Sequence, residues 1–157
     1  MIAIDSMIWI YNCDPNSKEH KNVKIWLEGN KRRRGIIETD KILISTIIAM
    51  EVIHNLRRVA RLPANLVYEY VLRMITLKNI LTESLDLALV QESMEVLEEY
   101  YEYGIGGRDA TILASMRRRR VKRIATHDRN LLSIVDIERV DPTVDPPLIA
   151  KIGEVIK

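Results

Sequence analysis

The sequence has few of the residues that build disulfide frameworks, thiolate metal clusters or aromatic cores. It contains one cysteine, Cys13, so it can form no internal disulfide and no cluster of cysteine ligands. A lone cysteine fits a reducing compartment, and we therefore expect a cytoplasmic protein. Phenylalanine is absent, and the aromatic residues are two tryptophans and six tyrosines, which we assign to the core or to an interface.

Neither a large net charge nor a long apolar run is present. The 24 basic and 22 acidic residues leave a net charge of +2, which is too small to indicate a polyanionic partner by itself. The first residues, MIAIDSMIWIY, lack the basic leader of a signal peptide, and no segment reaches the roughly 18 uncharged residues of a membrane span. These features predict a protein that is neither exported nor inserted into a membrane.

Short runs of branched apolar residues alternate with longer helical patterns, as in a parallel sheet covered by helices. The predicted strands cover residues 1–5, 41–45, 79–83 and 122–126, with a fifth near 137–140. The length of the chain suits a single α/β domain over residues 1–157. After Asp141, the segment PTVDPP interrupts regular structure, and we expect residues 142–157 to add a C-terminal helical extension.

Three long helices are predicted from apolar residues that recur at helical spacing. Pro63 can begin the second helix, while Ser84 is a candidate N-cap and Gly104 a candidate stop for the third. The apolar stripes are Ile48, Val52, Leu56 and Val59 in the first helix, Val67, Val71 and Met74 in the second, and Leu87, Val90, Met94, Leu97 and Tyr101 in the third. Such stripes normally face a core.

Four carboxylates are predicted at the edge of the sheet where the parallel strands end, the usual position of active sites in open α/β sheets. Asp5 ends the first strand, Asp128 follows the fourth, and Glu51 lies in the helix after the second. Asp109 opens a helix, after the glycines of GIGGRDATILASM, that leads back to the fourth strand. Each acid alone can be explained as a helix cap or an exposed residue. Four acids at one edge repel one another, however, and need protons or a cation.

An all-oxygen set of ligands favours a hard divalent cation. Mg²⁺ and Mn²⁺ select carboxylate oxygens and keep several waters, whereas zinc sites commonly use cysteine or an ordered set of histidines. A cation in such a site activates a bound water and neutralises charge on a phosphoryl group. Phosphodiester hydrolysis is the reaction that uses both effects most directly.

The order and spacing of these acids resemble the PIN-domain family of metal-dependent nucleases, especially the VapC-like toxins of toxin–antitoxin pairs. The likeness lies in IDSMIWI, STIIAMEV, GGRDATILA and IATHDRNL, which span most of the chain. The four acids occupy the family's acidic positions, and Thr126 matches its hydroxyl residue two before the last acid. Many members carry a further acid just after that position, where this chain has Arg129 and Asn130.

The resemblance implies a three-layer α/β/α fold with a central parallel sheet of four to five strands. It implies an endoribonuclease that depends on Mg²⁺ or Mn²⁺ and hydrolyses RNA phosphodiester bonds. It also implies a homodimer and an antitoxin protein that blocks the site. The residues that would act in catalysis and hold the metal are Asp5, Glu51, Asp109 and Asp128, with Thr126 orienting the site.

Two other functions stay open at the level of sequence. A module with this fold can keep some of the acids while only binding RNA or assembling with partners. The second alternative is a phosphotransferase that forms an aspartyl phosphate. Such an enzyme needs a second acid close by in the same loop, and IDSMI supplies none.

Basic residues form runs at three places, residues 31–34, 57–61 and 117–123. Each run follows a helical pattern, where cations near the last turn offset the helix dipole. The runs therefore fit a structural role as well as a partner surface or an extended RNA surface. Arg108 and Arg129, next in sequence to two of the acids, are better placed to hold substrate phosphates near the reacting bond.

The three histidines are weak candidates for chemistry. His54 follows Glu51 at a spacing used in some helical metal sites, but the second such pair is missing, which favours a role outside the metal shell. On an extended segment His127 points away from its two neighbours in sequence. His20 falls in a charged helix, where we expect it to be solvated.

Overall fold

A six-stranded sheet forms the centre of the protein in the computed structural model, which describes residues 1–156. The five predicted strands are present, and a sixth follows them. The strands are β1 (Ile2–Ile4), β2 (Ile42–Ser45), β3 (Ile80–Glu83), β4 (Arg123–Ala125), β5 (Glu138–Asp141) and β6 (Leu148–Ala150). Their order across the sheet is β3-β2-β1-β4-β5-β6; the first five strands are parallel, and β6 is antiparallel to β5.

Helices cover both faces of the sheet, which gives the three-layer α/β/α fold expected from the sequence. They are α1 (Ser6–Cys13), α2 (His20–Glu28), α3 (Ile36–Thr39), α4 (Thr46–Arg58), α5 (Ala64–Thr76), α6 (Leu87–Glu99), α7 (Gly107–Arg118) and α8 (Arg129–Ser133), with a 3₁₀ turn at Tyr101–Tyr103. Both α4 and α7 pack against β2; α4 also contacts α1 and α5, whereas α7 contacts α6. Within residues 1–156, none of these helices is both long and apolar enough to cross a membrane.

The central strands are apolar along their whole length because both faces of a covered parallel sheet are buried. Every residue of β1 and β2 is buried. In α7, every residue from Asp109 to Met116 is also buried. An aspartate therefore lies at the start of an enclosed helix, where an unpaired charge is costly.

Most of the third predicted apolar stripe is exposed; of its members, Leu97 packs partly against the core, and Tyr101 lies in the 3₁₀ turn beyond α6. Its exposed members are Leu87, Val90, Met94 and Tyr101. The buried face of the helix instead carries Leu89 and Val96, together with Ser93, whose hydroxyl donates to the carbonyl of Leu89 at 2.6 Å. Because α6 has apolar residues on two faces, periodicity identified the helix but not the face that packs.

The C-terminal segment forms a strand instead of the helix predicted within residues 142–157, of which residue 157 lies outside the described part of the chain. After β6, the carbonyls of Lys151 and Glu154 accept hydrogen bonds from the guanidinium of Arg139. Arg139 is fully buried in β5 and also donates to the carbonyl of Leu132 at 3.1 Å. These hydrogen bonds tie the segment after β6 to the buried side chain of β5.

Candidate active site

Parallel pairing brings the ends of three strands together at one edge of the sheet. Because β1 lies between β2 and β4, the residue that follows β1, Asp5, lies beside Ser45 at the end of β2 and Thr126 just after β4. The backbone N–H of Asp5 still donates to the carbonyl of Ala125 at 3.0 Å, which fixes its position. Helix α1 begins at the next residue, so a buried strand holds this carboxylate at the edge.

The Asp5 carboxylate is buried, with 1% of the residue exposed. Its Oδ1 accepts from the backbone N–H of Ser6 at 2.6 Å, and its Oδ2 accepts from the Thr126 hydroxyl at 2.9 Å. Burial raises the pKa of Asp5 to about 6; the Thr126 hydrogen bond opposes this rise, and the nearby charge of Glu51 adds to it. The carboxylate is therefore held in place without full compensation of its charge.

Thr126 connects Asp5 to Asp128. The Thr126 hydroxyl oxygen is fully buried, donates to Asp5 and accepts from the backbone N–H of Asp128 at 3.0 Å. The Asp128 carboxylate Oδ1 accepts from the backbone N–H groups of Asn130 and Leu131 at 2.8 and 3.2 Å. Asp128 is thus the N-cap of α8, and the same side chain keeps a second oxygen, Oδ2, that makes no hydrogen bond within residues 1–156.

Arg108 connects Glu51 to Asp109. Its Nη1 forms an ion pair with Oε1 of Glu51, and its Nη2 lies 3.3 Å from Oδ1 of Asp109. The other oxygen of Glu51, Oε2, is buried and has no hydrogen-bond partner within the described part of the chain. Glu51 therefore carries one oxygen that is removed from water and unsatisfied, which is uncommon for a buried carboxylate.

Two capping predictions need correction. Asp109 is the third residue of α7 rather than its N-cap; Gly106 is the N-cap, and its backbone N–H donates to Oδ2 of Asp109 at 3.2 Å. A carboxylate at this position satisfies an N–H that the first helical turn leaves free. Helix α6 begins after Asp86, which accepts from the N–H of Leu89, rather than after Ser84.

The site therefore unites two bridged pairs of acids, which we call the site acids: Asp5, Glu51, Asp109 and Asp128. Arg108 lies close enough to Asp5, Glu51 and Asp109 for all three charges to raise the pKa of its guanidinium against the opposing effect of burial. Within residues 1–156, no three carboxylate, imidazole or thiolate groups stand close enough to share a metal ion. A guanidinium, rather than a closed ligand shell, occupies the contact between two of the acids.

Comparison with protein families identifies the fold. Residues 2–137 match the model of the PIN domain. The chain belongs to the PIN-domain family. Its matched region contains all four site acids, and a comparison with curated proteins gave no significant match.

This PIN domain is similar in fold to solved toxin structures. VapC20 of Mycobacterium tuberculosis, described as a toxin that cleaves the sarcin–ricin loop, is 17% identical, with a TM-score of 0.62 over 79% of this chain and 87% of that chain. VapBC2 of Rickettsia felis, solved bound to a DNA fragment from its promoter, is 14% identical, with a TM-score of 0.54 over 82% and 89%. A toxin–antitoxin complex from Klebsiella pneumoniae is 19% identical, with a TM-score of 0.50 over 82% and 87%. At these identities the likeness shows a shared fold.

Ser45 is a residue of the PIN domain's site edge that the sequence reading missed. It is 1% exposed, it lies beside Asp5 in the strand register, and its hydroxyl has no hydrogen-bond partner within residues 1–156. A serine at a strand end carries little signal by itself. Once the parallel register is known, however, Ser45 at the end of β2 falls opposite Asp5, the residue that follows β1.

His127 of the PIN domain faces away from the site acids and joins a second polar group. Its Nδ1 lies 2.9 Å from Oδ2 of Asp141 and 3.1 Å from the hydroxyl of Thr143. Its ring meets the ring of Tyr11 edge to face at 6.0 Å between centroids. Asp141 follows the same pattern of an acid at the end of a strand that identified Asp5, so the sequence contained the signal for this pair.

The remaining predicted residues make few contacts with the site. Arg129 is exposed and forms no ion pair within residues 1–156, and His54 is exposed on α4. His20 was expected to be solvated; instead it is half-buried, and its Nδ1 lies 2.9 Å from the carbonyl oxygen of Tyr11. Of the two arginines predicted to hold phosphates, the structure therefore brings Arg108 into contact with the site acids and leaves Arg129 apart.

Two arginines of the basic run that starts in the last turn of α7 pair with a second group of acids. We call this group the Glu83 cluster: Glu83, Asp86 and Glu92 with Arg118 and Arg119. Arg118 lies within 3.0 Å of Glu83, 3.2 Å of Asp86 and 2.9 Å of Glu92, and Arg119 pairs with Glu83. Arg118 also lies in the last turn of α7, as a cation that offsets the helix dipole would. This part of the run therefore has a structural role.

Proposed function

We propose that this PIN domain is an endoribonuclease that depends on Mg²⁺ or Mn²⁺ and acts as the toxin of a toxin–antitoxin pair. The observation that carries the proposal is the unbalanced charge of the site acids. Four carboxylates lie at one edge, and within residues 1–156 Arg108 is the one cationic side chain that pairs with any of them. Buried like charges of this kind call for a cation.

The site acids carry the oxygen donors that a hard divalent metal prefers, although as placed within residues 1–156 no three of them are close enough to share one ion. Asp5, Glu51, Asp109 and Asp128 would hold it through carboxylate oxygens, the ligands that Mg²⁺ and Mn²⁺ prefer. The unsatisfied Oε2 of Glu51 and the buried Asp5 are oxygens that gain most from a positive ion. When bound, such a metal would lower the pKa of a water ligand and neutralise charge on the scissile phosphate.

The chain's own side chains would position these groups and the substrate. Thr126 fixes the orientation of the Asp5 carboxylate and the start of α8 through its two hydrogen bonds. Arg108, which pairs with Glu51 and Asp109, would bind a phosphate of the substrate near the reacting bond. The exposed Arg129 at the start of α8 is a second phosphate contact.

The choice of RNA and of an antitoxin partner rests on the relatives. VapC20 is described as a toxin that cleaves the sarcin–ricin loop, and the other two similar structures are toxin–antitoxin assemblies. We propose that the same substrate class and a protein inhibitor apply to this chain. An inhibitor that supplies a cation to the site acids would satisfy the charge that the protein itself leaves unbalanced.

We also propose a homodimer, supported by the exposed apolar stripe of α6. Single exposed apolar residues are ordinary, but a row of them along one helix marks an interaction surface. Sedimentation velocity of the purified chain should show a dimer, and Met94→Glu should shift it to monomer. A dimer that persists unchanged in this variant would place the interface elsewhere.

The test of the activity is cleavage of a mixed RNA pool with and without Mn²⁺, by the natural protein and by Asp109→Asn. The variant keeps an amide oxygen that can accept from the Gly106 N–H, so it should fold normally while its cleavage rate falls at least about 100-fold. Asp145→Asn, an exposed change of the same type, should leave the rate unaltered. RNA binding that persists in EDTA, without products in Mn²⁺, would instead identify a non-catalytic RNA-binding module.

A further inference from the structure

The segment between α2 and α3 is a tight, ordered hairpin that carries the first arginine run at its tip. Gly29 and Arg34 form an antiparallel bridge, and the N–H of Asn30 donates to the carbonyl of Arg33 at 2.8 Å. The side chain of Asn30 also accepts from the backbone N–H groups of Arg32 and Arg33, at 2.8 and 3.0 Å. The backbone of the tip is thus fixed by its own hydrogen bonds.

Two glycines close the neck of this hairpin because no side chain fits there. Gly29 has a φ of +87°, and a Cβ on Gly35 would lie 2.2 Å from the carbonyl oxygen of Leu27. The neck therefore holds two backbone segments in direct contact, and the tip projects from it in a defined direction.

The charges at the tip have no counter-ions. Lys31, Arg32 and Arg33 are exposed and form no ion pair within residues 1–156, while Arg34 pairs with Glu38 at 2.9 Å. The helix dipole does not account for them either, since the last turn of α2 contains no basic residue. The hairpin's basic run therefore differs from the run at the end of α7, in which Arg118 and Arg119 pair with the acids of the Glu83 cluster.

A groove with two lysines adjoins the hairpin. It has a volume of about 540 Å³; its charged side chains are Glu38, Lys41 and Lys78, and the rest of its lining is mostly apolar, from Met1, Ile37, Ile80 and Leu81. Glu38 is the partner of Arg34, which places the groove next to the hairpin. Lys41 and Lys78 lie just before β2 and β3, so the groove is at the edge where strands begin, a strand length of roughly 13 Å from the edge that holds the site acids.

We propose that this basic surface, formed by Lys31, Arg32 and Arg33 with Lys41 and Lys78, binds RNA phosphates outside the bond that is cleaved. The inference rests on the proposed ribonuclease function, which supplies the polyanion. The tip from Asn30 to Arg34, which carries three of these five cations, has no apolar residue, and a folded protein partner that docked on the tip would need buried apolar area there for a stable contact. Phosphates need only fixed, unpaired cations, which the hairpin presents.

The test measures binding in EDTA, so that it does not depend on cleavage. A labelled stem-loop RNA and a labelled dinucleotide are titrated by fluorescence anisotropy at several salt concentrations. The variant replaces Lys31, Arg32 and Arg33 together by glutamine. Its matched control replaces the exposed, unpaired Lys24, Arg120 and Lys151 by glutamine, which removes the same charge from scattered positions.

The hairpin variant should bind the stem-loop at least about tenfold more weakly, and the slope of log affinity against log salt should fall by about 2. The scattered control should lose much less affinity for the stem-loop. A third variant, which combines Lys31→Arg, Arg32→Lys and Arg33→Lys, should bind like the natural protein because it keeps the three charges. Affinity for the dinucleotide, which is too short to span both edges, should stay the same.

Equal losses of RNA affinity in the hairpin variant and the scattered control would overturn the inference. So would a folded hairpin variant whose RNA affinity and salt dependence match those of the natural protein. If the hairpin variant binds RNA as well as the natural protein does but no longer binds labelled polyglutamate, the surface belongs to an acidic protein partner. That result would also overturn the inference. A protein that binds the stem-loop through the hairpin but gives no products in Mn²⁺ would leave this inference standing while the proposed ribonuclease function fails.

Discussion

The first and last turns of α7 contact two groups of acids that differ in their counter-ions. At the start of the helix, the four site acids have one cationic partner within residues 1–156, Arg108, which pairs with Glu51 and Asp109. At its end, the three acids of the Glu83 cluster are held by two arginines. Both groups include a carboxylate that is almost fully buried, Asp5 in one and Glu83 in the other.

The pKa values of these two buried acids move in opposite directions. Burial acts to raise both. For Glu83 the hydrogen bonds and charges of Arg119 and Arg118 outweigh burial and lower the pKa, whereas the pKa of Asp5 rises to about 6. An acid cluster whose charge is neutralised stabilises the fold. An acid cluster that lacks positive charge is typical of a binding or catalytic site. The three predictions below test this contrast.

The largest expected effect is destabilisation by Glu83→Gln. The substitution removes the charge that holds Arg118 and Arg119, and we expect the free energy of unfolding to fall by about 2 to 3 kcal/mol at pH 7. Because the folded pKa of Glu83 is lowered, this difference should shrink as the pH falls below the ordinary value of 4.5. Urea denaturation at several pH values measures it.

The control for Glu83 is Asp86→Asn in the same cluster. Asp86 is exposed, and asparagine also caps helices well, so the loss should stay below about 1 kcal/mol. If Glu83→Gln lowers the free energy of unfolding as little as Asp86→Asn does, the buried Glu83 contributes no more to stability than the exposed Asp86.

The second prediction has the opposite sign: Asp5→Asn should stabilise the metal-free protein at pH 7 by about 2 kcal/mol. The folded carboxyl, with its pKa raised from 3.8 to about 6, keeps its proton over a range in which the unfolded carboxyl has lost it. The cost of an ionised Asp5 therefore grows as the pH rises through that range and is fully present above it.

Urea denaturation in EDTA should accordingly show no advantage of Asp5→Asn at pH 3 to 4 and a full advantage at pH 7. Glu98→Gln, an exposed charge removal on α6, should change stability little at any of these pH values. A variant less stable than the natural protein at pH 7 would mean that Asp5 is compensated after all.

The smallest expected effect is on metal affinity: Arg108→Gln should bind Mn²⁺ roughly tenfold more tightly in calorimetry. The guanidinium pairs with Glu51 and Asp109, so a metal must displace it to reach their oxygens. Arg129→Gln removes an equal charge next in sequence to Asp128 but breaks no ion pair, and its affinity should match the natural protein. Equal or weaker Mn²⁺ binding by Arg108→Gln would contradict competition between arginine and metal.

The fold was largely predictable because each strand is a short branched-apolar run, and a buried parallel strand requires such a run. Two features of the fold could not be predicted in this way, the packed face of α6 and the strand β6. The outward stripe of α6 contains the same residue types as its packed face, so only the contact with α7 decides which is buried. The strand β6 pairs with β5, and the segment after it is held by Arg139, which appears in the sequence as one arginine among many.

Topology accounts for Asp5 and Asp128, since residues that follow parallel strands share an edge; Glu51 and Asp109 reach that edge from helices α4 and α7. The individual contacts of these acids did not follow from topology. The pairing of Arg108 with both Glu51 and Asp109 depends on side-chain conformation. The position of Ser45 beside Asp5 depends on strand register, which a sequence pattern leaves open by a residue or two.

The anchoring of the C-terminal strand by Arg139 bears on where the chain can be cut. The region shared with the family ends at Ile137, yet β5 and β6 both lie beyond it. A polypeptide trimmed to the shared region would leave the ladder of β4 open to other chains and would lose the anchor itself. Expression boundaries for this protein should therefore extend at least to Glu154, whose carbonyl completes the anchor.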